Sequence, residues 1–212
     1  MKKALLATIM AFLVSTVSYA DELRLEATAS AKVGDNTLTV EEQVRHDLSI
    51  SEDMVTKAAP YEHTVFAIGR DLNDNNAVQF RVRNTNTAGT SENRLSLDLN
   101  SSVSLPMGVG LQNRLRLQLD ETGDITAVDE TDLRIREQIM ISKNVNLHFF
   151  SLDLSIGDEI HADVNGIKEN RITAAAATSL TDNLSARAEY FRQQMTGADD
   201  ANVVTVSAQL RF

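Results

Sequence analysis

Arginines on one phase of period-two runs are the residues of this 212-residue chain best able to do chemistry. Arg45, Arg81, Arg83, Arg94, Arg114, Arg116, Arg134, Arg136, Arg171, Arg187 and Arg211 all take the polar positions of such runs. Successive side chains of a strand point to opposite faces, so the arginines share one face with each other and not with the apolar residues. A guanidinium is always charged and grips oxyanions through a planar fork. Two kinds of chemistry follow. The set could be a positive track for small anionic solutes, with Arg81, Arg83, Arg94, Arg114, Arg116, Arg134, Arg136, Arg171 and Arg187 as the contact candidates. Alternatively, it could be bracing, with Asp98, Asp120, Glu169 and Glu189 as the principal acids and Glu41 and Asp153 beside them. Arg114, Arg116, Arg134 and Arg136 sharpen the choice, because they could form one compact cluster. Like charges at 4 Å repel by about 4 kcal/mol at an effective dielectric constant of about 20. Asp98 and Asp120 are the nearest acids and are fewer than the arginines, which keeps the anion reading open.

Other chemistry has less behind it. His148-Phe149-Phe150-Ser151 has the residue types of an esterase, but residues three apart on a strand face opposite ways. His46, His63 and His161 lie apart with no partner motif, so no enzyme is expected. Asp71-Leu72-Asn73-Asp74-Asn75-Asn76 begins like a calcium loop. It lacks the glycine at its sixth place, and Val82 stands where the bidentate glutamate belongs, so a tight turn is expected. His161-Ala162-Asp163 offers two metal ligands without a third. No metal and no cofactor are expected.

What must position the arginines is a set of strands. Eleven segments of alternating polarity run roughly over 22–33, 36–49, 62–72, 77–86, 93–105, 108–120, 131–142, 145–156, 167–180, 183–194 and 202–212. Leu95, Leu97 and Leu99 alternate with Ser96, Asp98 and Asn100, and the pattern repeats in Leu115, Leu117 and Leu119. No run of the mature chain is apolar for the roughly 20 residues of a spanning helix. Short segments of this kind separated by turn residues are the signature of a transmembrane β-barrel. Short turns are expected at 34–36, 73–75, 105–107, 142–144 and 181–183, and longer loops near 51–60, 87–92, 121–130, 157–166 and 195–201. The longer loops are acidic, through Glu121, Asp124, Asp129 and Glu130, then Asp158, Glu159 and Asp163, then Asp199 and Asp200. These could share divalent cations with lipopolysaccharide phosphates, or be solvated charge.

Both ends of the chain carry signals. Met1-Lys2-Lys3, an apolar stretch from Ala4 to Val17 and Ser18-Tyr19-Ala20 read as a secretory leader over residues 1–20. Removing Lys2 and Lys3 with it takes the formal net charge from −10 to −12. That balance excludes a nucleic-acid binder, which needs clustered positive charge. The absence of cysteine excludes a disulfide framework. The last strand sets Val204, Val206, Ala208, Leu210 and Phe212 against Thr205, Ser207, Gln209 and Arg211 and stops on its aromatic. It resembles the terminal strand that outer-membrane barrels present to their assembly machinery, with Phe212 as the assembly signal.

Glu92-Asn93-Arg94-Leu95, Asn113-Arg114-Leu115-Arg116, Leu133-Arg134-Ile135-Arg136, Glu169-Asn170-Arg171-Ile172 and Leu180-Thr181-Asp182-Asn183-Leu184 carry a further likeness. With these motifs the chain resembles a family of uncharacterised Gram-negative outer-membrane barrels, a domain of unknown function, and more distantly the acidic-sugar porins. The resemblance implies a barrel in the cell outer membrane and no reaction. The expected fold is all-β: an antiparallel up-and-down transmembrane barrel over residues 21–212, with about ten strands plus an extra N-terminal strand, or alternatively twelve. Its expected partners are outer-membrane lipid, lipopolysaccharide, the barrel-assembly machinery and small anionic solutes. A narrow porin-like channel with an arginine-lined lumen is one expected function. A non-conducting barrel with a salt-bridged lumen is another, and a soluble periplasmic ligand-binding barrel is a third, since alternation alone does not say which face is inside.

Overall fold

The computed structural model describes residues 20–47, 61–87, 90–123, 130–147 and 150–212. The expected leader lies outside these except for Ala20, and His148 lies outside as well. The strands are β1 (Glu22–Val33), β2 (Asn36–Asp47), β3 (Tyr61–Asn73), β4 (Asn76–Thr87), β5 (Thr90–Leu105) and β6 (Val109–Gly123). They continue as β7 (Glu130–Leu147), β8 (Phe150–Asp163), β9 (Gly166–Ser179), β10 (Leu184–Met195) and β11 (Ala201–Arg211). Each strand pairs antiparallel with the next, and β1 closes the barrel against β11 in parallel, from Glu22 opposite Val203 to Ser30 opposite Arg211. Segment 22–33, whose place the sequence leaves open, is therefore the eleventh stave of the wall. No twelfth strand occurs among the described residues.

The wall follows the alternation. Large apolar side chains such as Leu97, Leu99, Ile135, Ile139 and Phe66 stand exposed on the outside. Arg24, Asp98, Arg116, Gln118, Asp120, Arg136, Glu159 and His161 are buried inside. This inversion of the usual soluble pattern decides against an apolar-cored barrel: the polar face is the interior. On the faces expected to meet lipid, Leu97 and Ile135 are exposed and Leu115, Leu152 and Val206 are half-buried.

Turn chemistry fixes the registers. Gly34 takes φ +62° at the first place of a two-residue hairpin turn, a conformation open to glycine without strain. Asn73 Oδ1 accepts from Asn75 N at 3.0 Å and from Asn76 Nδ2 at 2.9 Å, so the calcium-like stretch is an Asn-capped turn. The turns at 34–35, 74–75, 106–108 and 180–183 share one rim with Phe212, here the C-terminal rim. Asp21, the turn at 164–165 and the connection at 196–200 lie on the other, the N-terminal rim.

Three expected boundaries move. Ser142-Lys143-Asn144 does not turn but continues β7, which pairs with β8 as far as Leu147 opposite Phe150. The loop expected over 157–166 is strand up to Asp163, followed by a two-residue turn. The loop expected at 87–92 is mostly strand, since β4 reaches Thr87 and β5 begins at Thr90. In each case polar side chains imitate turn composition, while the backbone groups of the same residues continue the ladder with the facing strand. The result removes Asp158, Glu159 and Asp163 from the acidic loop to which they were assigned.

Candidate functional site: the barrel interior

The interior has a charged layer on the N-terminal side and a vestibule on the C-terminal side. Glu159 is the hub of the charged layer. Its carboxylate accepts from Arg114 at 2.5 Å, Arg136 at 2.6 Å and His161 Nε2 at 2.5 Å, with Arg171 at 3.7 Å. His161 turns its other nitrogen, Nδ1, to Glu169 at 3.3 Å, and Glu169 also binds Arg171. Carboxylates only accept, so both contacts of this ring are hydrogen bonds only when both nitrogens carry protons. Arg116 and Asp98 form a two-pronged pair with both bonds at 2.6 Å.

A second chain of charges crosses from β4 to β7. Glu92 bridges Arg83 at 2.9 Å and Arg94 at 2.6 Å. Arg94 also binds Asp120, which Gln118 Nε2 supports at 2.9 Å and Arg134 approaches at 3.3 Å. Arg134 is equally close to Asp132. Around the rest of the wall Glu41 holds Arg81 at 3.1 Å and faces His63 at 3.5 Å, Glu22 binds Arg24, and Arg187 binds Glu189 at 2.6 Å. Phe191 packs between the guanidiniums of Arg24 and Arg171, at 5.0 and 5.1 Å from its ring centre.

All nine expected anion-contact arginines face the interior, and each lies within ion-pair distance of a carboxylate. The expected acids Asp98, Asp120, Glu169 and Glu189 are all among the partners. Arg114, Arg116, Arg134 and Arg136 do lie on adjacent strands in matching register, Arg116 opposite Arg136. The shortage of acids beside them is made up by Glu159, which reaches Arg114 across the intervening strand. Sequence reasoning missed Glu159, Glu92, Glu22, Arg24 and His161 as members of this network. Extending the period-two phase beyond Ile156 would have found Glu159 and His161. Arg211 has a neutral partner, Gln209, at 3.0 Å.

The network is tightly packed. Val65, Thr85, Asp98, Gln118, Glu159 and Val203, which come from six different strands, are each at most 2% exposed. Beyond this layer a cavity of about 760 Å³ reaches towards the C-terminal rim. Short polar residues line it, among them Thr28, Thr39, Gln112, Ser155, Ser185 and Ser207, with Glu26, Arg187 and Arg211 in its wall.

The family model described as "Protein of unknown function (DUF2490)" matches residues 23–204 of this barrel. The chain belongs to that family. Comparison with curated proteins gives no match. Among solved structures, the β domain of the Bordetella autotransporter BrkA superposes with a TM-score of 0.55 at 10% identity, over 82% of each chain. A bacterial polysaccharide outer-membrane secretin superposes with a TM-score of 0.50 at 9% identity, over 81% of this chain and 73% of the other. At these identities the likeness is one of fold: this member of the family has an outer-membrane type of β-barrel.

Proposed function

We propose that the chain is an outer-membrane barrel that does not conduct in its resting state: a rigid, salt-bridged cylinder with a polar vestibule open on one side. The observation that carries this reading is the packed layer of Asp98, Gln118, Glu159 and their arginines, in which the first three are each at most 2% exposed. A positive track would need guanidiniums free to meet a passing anion. Here they already hold carboxylates, at distances typical of strong charge-assisted bonds. The apolar exterior supports placement in a bilayer, because such a surface in water would be an aggregation site.

The partners we propose extend the same reading. Bilayer lipid covers the exterior, and lipopolysaccharide meets the N-terminal rim. The strand ending at Phe212 is the element offered to the assembly machinery. Phe212 is exposed, and its backbone N–H donates to Ser30 O at 2.9 Å, so its side chain is free for recognition while its backbone completes the wall. Deleting Phe212 is expected to lower the amount of heat-modifiable barrel in the membrane fraction and leave secretion intact. Normal assembly of the truncated chain would remove this role.

Purified protein in planar bilayers tests the closed lumen. No stepwise conductance is expected from the native chain. Steady anion-selective conductance, weakened by Arg114→Ala with Arg134→Ala, would replace this reading with the channel.

A further inference from the structure

The outer wall carries a few charged residues among its apolar ones, Glu42, Glu137, Lys143 and Asp158 among them, and the lumen does not explain them. Asp158 lies on the outward phase of β8, between Ile156 and Ile160, opposite Ile139 on one side and Ile172 on the other. It is exposed, and no cation lies within 4.0 Å of it among the described residues. Glu137, the neighbouring outward carboxylate, at least accepts from Asn113 Nδ2 at 3.0 Å. A carboxylate ringed by four isoleucines on a face that meets hydrocarbon is costly and calls for a partner.

The same face supplies the matching charge. Ile172 is opposite Asp158 on one side and Arg192 on the other, so acid and base flank a single isoleucine, about 10 Å apart along one row of the sheet. Between them runs a groove of about 680 Å³ along Ile139, Ile156, Ile172, Ala174 and Tyr190. It continues into a second groove of about 540 Å³, where Ala176 and Ala188 leave the wall shallow. Arg192 contacts Asp200 at 2.9 Å, but both groups are largely exposed, and a surface pair of this kind is readily exchanged.

We infer that this face is a dimer interface, in which a second copy of the chain seats on the β8–β10 groove and the two copies exchange Asp158–Arg192 pairs. An acid and a base on opposite sides of an apolar centre are what a two-fold interface requires, since residue i then meets j and j meets i. Charge complementarity selects a second copy over lipid: an acyl chain could fill the groove but would leave Asp158 unpaired. This inference rests on the membrane reading proposed above.

The chain has no cysteine, so Ile172→Cys, close to the expected axis, cannot form a disulfide within one copy, and a band at twice the chain mass reports a second copy. In native membranes it is expected to give a dimer band on oxidation. Adding Asp158→Arg or Arg192→Asp should abolish that band, and adding both should restore it. Asp158→Asn, a milder change, should also abolish the band while the barrel remains heat-modifiable. A membrane-inserted, heat-modifiable Ile172→Cys protein that gives no dimer band would overturn the interface alone. So would a dimer indifferent to both charge reversals. A chain recovered in the soluble fraction would overturn the membrane reading and the interface with it.

Discussion

The two halves of the barrel interior are built from the same strands and by opposite means. Towards the N-terminal rim long charged side chains fill the section: Glu159 with three arginines and a histidine, then Asp98 with Arg116, then the chain from Arg83 to Asp132. Towards the C-terminal rim many inward positions are short, Thr28, Ser142, Ser155, Ala177, Ser185 and Ser207 among them, and about 760 Å³ stays open beside Glu26, Arg187 and Arg211. The wall has one circumference throughout, so side-chain length decides where it is solid. Filling a polar lumen with charge is economical only when every group is paired. Buried ion pairs contribute little relative to an apolar core, but removing one partner strands the other.

That asymmetry makes the halves respond differently to substitution. Glu159→Ala should have the largest effect, because it leaves Arg114, Arg136 and His161 without their shared carboxylate. A loss of about 3–5 kcal/mol is expected for breaking a buried pair, with this hub at the upper end. Denaturant unfolding of the barrel in lipid would measure it, and a loss under 1 kcal/mol would mean that the hub is already well hydrated. Asp98→Ala and Arg116→Ala come next, at about 3 kcal/mol each. The double substitution should cost less than the sum, and strict additivity in a double-mutant cycle would deny the coupling. In the vestibule, Ser185→Cys and Ser207→Cys should change stability by no more than about 0.5 kcal/mol. They should react with a water-soluble thiol reagent, whereas Gln118→Cys should be protected. Labelling of all three at one rate would erase the distinction between the halves. The exposed turn pair is the control at the bottom of the scale: Arg70→Ala, which frees Asp35, should cost about 0–1 kcal/mol and be masked by salt.

The sequence revealed the strands wherever the exterior phase was unbroken, as in Leu95 to Leu99 or Leu115 to Leu119. It misled where a polar residue took an outward place. Asp158 breaks the series Leu152, Leu154, Ile156, Ile160, and that one break made 157–166 resemble a loop and hid Glu159 and His161. Lys143 did the same to β7. The inward location of the arginines was legible, because it needs only parity. Their partners were not, because pairing depends on register between strands. Glu159 reaches Arg114 because the registers of β6, β7 and β8 place Gln138 opposite both. The place of 22–33 was equally out of reach, since nothing local marks a strand as the partner of one some 180 residues later.

That last pairing has a kinetic consequence. The β1–β11 ladder is held at one end by Asp21, whose N–H donates to Asn202 O at 2.7 Å and whose carboxylate accepts from Asn202 N, also at 2.7 Å. At the other end it is held by the bond from Phe212 to Ser30. It is the only junction among the described strands made in parallel, with slanted and slightly weaker bonds, and it spans the longest stretch of chain. Loop-closure entropy disfavours such a contact until the nine strands between have formed, so this seam is the last to zip during folding. Amide exchange in the membrane-embedded protein should therefore be fastest along Leu23–Ala29 and Val204–Leu210, so a cylinder without edges still has a preferred line of rupture.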